Sequence, residues 1–463
     1  MLHSGINADN SIFVLLSFEG PDPYSSAGGL GVRVTNLSRT LADEGWLTHL
    51  FFIGDPRGKG EEVTASGRLL LHRWCQWISE YYPNGVYQGE YEKINDFNSS
   101  IPPFVSDRII RPAIAQDKLV IVMSEEWHTA EAVCRLSDQL RSEGLRDRVV
   151  MLWNANNTFG FDQINWPRLS TSATITTISR YMKHIMWQRG VNPLVIPNGI
   201  PKALFGISNE NASVYLREKL NADRVATKIA RWDPDKRWNT AVEAIAALKE
   251  SGKRTTLLAR GGIEPHGEEV ISKAHSLGLS VKDVWPKGNN LSDYIEAVGG
   301  GEPADILNIR FPCPPEFLQT MYHVSDAVLA NSGHEPFGLV GLETMAAGGI
   351  AFTGGTGEDY ALHLYNAIVL ETADPKEIEA YFAYLDSHPD VKEKIREAGQ
   401  ETALQFVWER IVERLRGRLE NEARIQGILD GTGRTNPVEA TDCVPAVGGQ
   451  AILACSGGNP WEK

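Results

Sequence analysis

Short apolar, β-branched runs alternate with helical patterns along most of this chain, and midway the alternation starts afresh. Strands separated by helices pair in parallel, because a helical crossover returns the chain to the same end of the sheet, so the fold class is α/β. The first series predicts strands at Ile12–Ser17, Leu47–Ile53, Leu119–Met123, Val149–Trp153, Thr174–Ile178 and Leu194–Ile196, with helices over 32–44, 129–144 and 180–189. After Pro197-Asn198-Gly199 and Pro201, a second series predicts strands at Thr227–Trp232, Thr255–Leu258, Ile306–Ile309, Ala327–Ala330, Ile350–Thr353 and Ile368–Leu370. The turn-rich stretch between them marks a domain junction, giving two Rossmann-like domains, 1–200 and 201–400, that face a central cleft. Ligands of such sheets bind beyond the carboxyl ends of the strands, so the cleft is where a site is expected.

Two segments depart from the pattern. Residues 56–112 read as an irregular, ordered insertion packed by Trp74, Trp77, Tyr81, Tyr82, Tyr87 and Tyr91. A long helix, roughly Glu401–Leu429, is expected to cross back to the first domain, followed by a Gly/Pro/Ser-rich tail over 430–463 without periodicity, expected to be poorly ordered.

Composition narrows the function. At 463 residues the chain is about three times the ~150 of one domain, which excludes a single small binding module. Lys and Arg total 45 against 59 Asp and Glu, a formal charge of −14, so general attraction to nucleic acid or anionic lipid is not expected. Five scattered cysteines without CxxC or metal-ligand spacing point to a reducing compartment, and no signal peptide or transmembrane run is evident, so the expected location is the cytoplasm. Oligomeric state is not legible.

Chemistry concentrates in two loops. Glu19-Gly20-Pro21-Asp22-Pro23-Tyr24-Ser25-Ser26-Ala27-Gly28-Gly29-Leu30-Gly31-Val32 clusters glycines at a helix start, where backbone N–H groups and the helix dipole favour an anion such as a diphosphate. Glycines also serve such a turn for backbone geometry alone. The second loop runs Asn331-Ser332-Gly333-His334-Glu335-Pro336-Phe337-Gly338-Leu339-Val340-Gly341-Leu342-Glu343, followed by Ala346-Ala347-Gly348. A strand feeds a turn and then a helix, leaving the N–H groups of Gly338 and Leu339 for a phosphate. Glu335 falls on the loop and Glu343 about one turn into the helix, where it can hold a ribose diol.

The second loop resembles the ExxFGxxxxE signature of retaining glycosyltransferases with two Rossmann-like domains (GT-B), the group that includes glycogen, starch and sucrose synthases. The resemblance extends to about Leu429. Ala27-Gly28-Gly29-Leu30-Gly31-Val32 is similar to the GGLG loop of glycogen synthases, Trp127-His128-Thr129-Ala130 to the second half of their HDWHTA segment, Ile196-Pro197-Asn198-Gly199-Ile200 to IPNGID, and Arg231-Trp232-Asp233-Pro234-Asp235-Lys236 to GRLxxxKG. It implies hexose transfer from a nucleoside-diphosphate sugar to a carbohydrate or small hydroxyl acceptor, with no metal and no further cofactor. Arg231 and Lys236 would stabilise the leaving diphosphate, Glu335 would contact the transferred sugar and Glu343 the ribose. Gly28, Gly29, Gly31, Asn156, Phe337, Gly338 and Leu339 fall on the donor side, and Trp127 and His128 on the acceptor side.

Three departures bear on the acceptor. Ser26 replaces the family's lysine before the glycine loop, Asn156-Asn157 replaces a His-Asn pair, and Glu125-Glu126 stands for His-Asp. For Glu125, Glu126 and His128 a solvated helix start is the competing reading, and for Glu125 the better one. Asp233-Pro234-Asp235 is formally a DxD metal tripeptide, but the adjacent Arg231 and Lys236 would repel a cation. Arg310 and Arg260 each follow a strand and read equally as nucleotide contacts or surface ion pairs, while Cys313, His266 and His323 read as structural. A non-catalytic sugar-nucleotide or glycan-binding protein and a sugar-nucleotide epimerase are the alternatives; an epimerase would convert donor without acceptor.

Overall fold

A computed structural model describes residues 5–64, 66–206 and 210–429; the tail expected from 430 onward lies outside them. The first sheet holds β1 (Ser11–Leu16), β2 (Leu47–Ile53), β3 (Glu61–Val63), β4 (Leu69–Trp74), β5 (Leu119–Glu125), β6 (Val149–Ala155), β7 (Thr174–Thr177) and β8 (Leu194–Val195), in the order β3-β4-β2-β1-β5-β6-β7-β8. The second holds β9 (Arg224–Ile229), β10 (Thr255–Arg260), β11 (Val281–Val284), β12 (Ile306–Ile309), β13 (Ala327–Ala330), β14 (Ala351–Thr353) and β15 (Ile368–Val369), in the order β11-β12-β10-β9-β13-β14-β15. Only β3 and β4 pair antiparallel among these neighbours. β1, β5 and β6 are buried along their whole length, as strands covered by helices on both faces must be. The chain is thus α/β with two Rossmann-like sheets.

The strand order reverses between β1 and β5 in the first sheet and between β9 and β13 in the second. Loops leaving the strand ends at such a point diverge to opposite faces and open a crevice. The loops that begin at Ser17, Glu126, Ala230 and Asn331 border these two crevices.

The insertion is regular, contrary to the sequence expectation. β4 joins the sheet beside β2, with Leu71 opposite Leu50, and helices follow at Gln76–Ser79 and Glu90–Val105. Pro102 and Pro103 lie inside the second helix and remove two backbone donors, and the next turn, Ser106–Ile110, is a π-helix. That segmented path, rather than a clean helical period, hid the element. The short β11 was also missed.

β9 begins and ends three residues earlier than expected, because Arg231 and Trp232 leave the sheet. The Trp232 N–H donates to Glu264 Oε2 at 2.9 Å and its ring packs on Trp238 at 4.0 Å, so this apolar residue fills a turn rather than a strand. The single terminal helix is two, Pro389–Leu404 and Trp408–Ile425. Between them the chain extends and pairs with the domain junction: the Ile200 N–H donates to Phe406 O at 2.8 Å and the Trp408 N–H to Ile200 O at 3.2 Å. Gly199 permits this approach, since a Cβ there would lie 2.5 Å from the Trp408 ring. The Trp408–Ile425 helix then packs against the Gly29–Asp43 helix of the first sheet. Among the described residues no helix is long and apolar enough to cross a membrane.

Candidate active site at the two switch points

At the second crevice the loops after β9 and β13 are tied together. The Gly333 N–H donates to Asp235 O at 2.8 Å, and Lys236 Nζ donates to Glu335 Oε1 at 2.6 Å. Asp233 Oδ1 accepts the Asp235 N–H at 3.0 Å, which makes the Asp-Pro-Asp tripeptide a capped turn. Gly338, at φ +82°, turns the chain into the Leu339–Ala346 helix, whose start no side chain caps. One turn on, Glu343 Oε2 accepts from the hydroxyl of fully buried Tyr322 at 3.3 Å, and burial raises the carboxyl above its ordinary range despite that bond.

Beneath this loop lies a residue that sequence reasoning passed over. Lys228, near the carboxyl end of β9, is buried and donates to Leu329 O at 3.0 Å and Asn331 Oδ1 at 2.5 Å. Burial lowers its ammonium to about 7, with Lys236 and Arg237 adding to the fall and Glu335 opposing it. The amide nitrogen of Asn331 and the hydroxyl of Thr356 are buried without hydrogen-bond partners. A lysine inside the apolar run Val225-Ala226-Thr227-Lys228-Ile229 was the available signal.

Three expected donor contacts stand apart from this cluster. Arg231 is 70% exposed, with Asp233 Oδ2 at 4.0 Å, and Arg310 is exposed with Asp283 Oδ2 at 3.9 Å, the surface pair that was its second reading. Phe337 is buried against Tyr360 and Phe406, ring centroids at 5.9 and 6.2 Å, so its side chain packs the core beneath the loop instead of facing a ligand.

At the first crevice the structure corrects two expectations. The anion at the glycine loop is the chain's own: Glu19 Oε2 accepts from the N–H groups of Ala27, Gly28 and Gly31 at 3.1, 2.9 and 3.0 Å, and Tyr87 of the insertion donates to Glu19 Oε1. Gly29 begins the helix beside them. Nor are Glu125, Glu126 and His128 a solvated helix start; all three are buried. Glu125 lies between Arg33 Nε, at 3.2 Å, and the amides of Asn154 and Asn156, at 2.8 and 2.7 Å. The Asn156 side chain therefore points inward to a carboxylate. Glu126, held at φ +68°, accepts from the Asn156 and Asn157 N–H groups at 2.6 and 3.1 Å, and desolvation lifts it from 4.5 to about 8. His128 stacks on Phe18 at 4.3 Å and lies tilted against Trp127 at 4.2 Å, and its Nε2 meets Glu90 Oε1 at 2.8 Å. Local pattern gave no sign of the long-range pairs, whose members come from different elements.

The two domains touch. The Arg180 side chain reaches Asp359 Oδ1 at 3.2 Å across the domains, and Arg33 Nη1 donates to Asn198 Oδ1 at the junction, 2.6 Å away.

Residues 216–402 match the family described as Glycosyl transferases group 1. A D-inositol 3-phosphate glycosyltransferase of Thermobispora bispora is 29% identical over 140 residues, which are 30% of this chain and 31% of that protein, so the match spans about a third of the relative. The sucrose-phosphate synthase structure from Thermosynechococcus elongatus superposes with a TM-score of 0.62 at 18% identity, over 89% of this chain and 99% of that one. The catalytic domain of starch synthase IV from Arabidopsis thaliana, bound to ADP and acarbose, gives 0.60 at 15% identity, over 89% and 100%. Residues 216–402 thus belong to the glycosyl transferases group 1 family, and they form part of a chain whose two sheets have the GT-B fold.

Proposed function

We propose that this protein is a retaining, metal-independent glycosyltransferase that moves a hexose from a nucleoside-diphosphate sugar to a hydroxyl acceptor. The observation that carries the reading is the 2.6 Å pair of Lys236 and Glu335 at the β9/β13 switch point, beside the uncapped helix start at Gly338 and Leu339. A cation, free N–H groups and a carboxylate converge there, the set that a sugar diphosphate needs. The Gly338 and Leu339 N–H groups take the diphosphate, Glu343 takes the ribose and Glu335 faces the sugar. As the anomeric C–O bond breaks, its electron pair passes to the diphosphate, whose charge Lys236 stabilises, with Arg231 swinging in from solvent. The acceptor oxygen bonds to the anomeric carbon on the face the diphosphate leaves, and its proton passes to the departing phosphate oxygen. The first domain holds the acceptor near Trp127 and His128. The starch synthase IV structure, bound to ADP and acarbose, supports a site that takes both a nucleotide and a sugar.

The test is a thermal-shift panel of ADP-, UDP- and GDP-sugars; a donor at 100 times its dissociation constant adds about 2.7 kcal/mol to the folded state. Transfer with the positive donor is then followed by NMR in excess EDTA. Product with the donor's anomeric configuration is expected. Inversion, or activity lost to EDTA and restored by Mg²⁺ or Mn²⁺, would overturn the respective part.

A further inference from the structure

The acceptor face has a one-sided charge pattern. Residues 17–28 after β1 include Glu19 and Asp22 and no Lys or Arg; residues 75–89 after β4 and 156–165 after β6 also lack Lys and Arg. Several cations around these loops are committed to partners, Arg189 to Asp162 of the 156–165 loop among them. Arg33 is bonded to Glu125 and Asn198, Arg73 to Asp22 and Glu62, and Arg180 to Asp359. Lys93 Nζ donates to the Tyr24 hydroxyl at 2.8 Å and to the carbonyls of Gly85 and Val86, and burial lowers it to about 8. Beyond β2, nearer the sheet edge, Arg57 is bonded to Asp55 and Lys59 is exposed.

A helix start with three converging N–H groups is where a phosphate would dock on this domain. Glu19 occupies it, itself only 4% exposed and fastened from above by Tyr87. An arriving phosphate ester would have to displace that carboxylate from its three N–H donors and then face its charge. Ser17 Oγ and His128 Nδ1, on the loops after β1 and β5, are buried polar atoms without partners. Such groups suit hydroxyls, which both donate and accept.

We propose that the acceptor is a polyhydroxylated molecule free of phosphate, sulfate and carboxylate, selected against anions by Glu19 in the glycine-loop N–H cluster; this rests on the glycosyltransferase reading above. The reacting acceptor group is a neutral hydroxyl that loses its proton to the departing diphosphate, so no charge on the acceptor is needed for the step.

The test offers matched acceptors to the enzyme with its active donor: glucose against glucose 6-phosphate, myo-inositol against its monophosphate, maltotriose against its terminally phosphorylated form. The neutral member of the productive pair is expected to lead in kcat/KM by about 100-fold or more. A lead for the phosphorylated member overturns the inference. In parallel, inorganic phosphate is titrated by calorimetry into enzyme saturated with ADP or UDP. No saturable phosphate binding is expected in the wild type, and a new site is expected in Glu19→Ala, where the three N–H groups are vacated. Saturable binding in the wild type overturns the inference; if Glu19→Ala does not fold, the wild-type titration and the acceptor pairs decide alone. Absence of any nucleotide-sugar binding or donor hydrolysis would instead defeat the glycosyltransferase reading, a distinct result.

Discussion

Lys236 and Glu335 come from loops 99 residues apart in sequence and meet at 2.6 Å, with side chains 13% and 31% exposed. Adjacent strands β9 and β13 deliver them to the same end of the sheet, at the point where its strand order reverses. The pair keeps a cation and an anion poised together before any ligand is present, so both charges are oriented at the start of reaction.

Glu335→Gln keeps size and one acceptor oxygen but removes the charge. It should lower kcat by about two orders of magnitude or more while nucleotide affinity stays near wild type, because the charge acts on the sugar as positive charge develops there. Lys236→Ala should lower both kcat and nucleotide affinity. The double variant should lose less than the product of the single losses, since the two groups interact directly. Steady-state kinetics with nucleotide titration measures all three; full turnover in Glu335→Gln would make the carboxylate structural.

Glu343 separates binding from stability. Glu343→Gln retains an acceptor for the Tyr322 hydroxyl, so it should raise the donor KM with a smaller change in kcat and little change in Tm. Glu343→Ala strands that buried hydroxyl and should also cost about 1–3 kcal/mol of folding stability. Equal melting curves for the two variants would show that Tyr322 finds another partner.

Glu126 should make stability fall with rising pH. Its folded value, about 8, lies above the ordinary 4.5, so the folded chain keeps a proton that the unfolded chain releases. The stabilisation is full below about pH 4.5 and is lost as pH rises through about 8. Glu126→Gln imitates the protonated acid, so urea midpoints of variant and wild type should diverge in the variant's favour between those values. A constant gap across that window would mean that Glu126 does not titrate there.

Lys228 works the other way. With a folded value of about 7 against an ordinary 10.5, its contribution is full above about pH 10.5 and is lost as pH falls through about 7. Lys228→Met removes this dependence together with the bonds to Leu329 O and Asn331 Oδ1, a loss that does not vary with pH. Relative to Lys228→Met, the wild type should therefore lose stability as pH is lowered from 10 to 7. Unchanged spacing of the two denaturation curves over that range would place a charged lysine in the core throughout.

Period and punctuation made much of the fold legible. Buried parallel strands need continuous apolar runs, and crossover helices need an amphipathic repeat, so β1, β2, β5, β6, β10, β12 and β13 showed themselves locally. The insertion stayed hidden because its helix contains two prolines and a π-turn, and the terminal helix was overdrawn because nothing local at Gln405–Val407 announces a backbone pairing with Ile200.

The sequence by itself determined the α/β class, the two-sheet plan and the loop and helix start that bear Glu335, Gly338 and Glu343, because each is written in a contiguous segment. Only the tertiary structure decided the partners. It put Glu19, not a ligand, into the glycine loop's N–H cluster, and it buried Glu125 between Arg33 and two asparagines. It also left Arg231 in solvent while Lys236 was paired. The physical reason is that periodicity reports which face of an element is buried, whereas a charge's role depends on which other group the fold brings within about 4 Å, and that neighbour usually lies on another element.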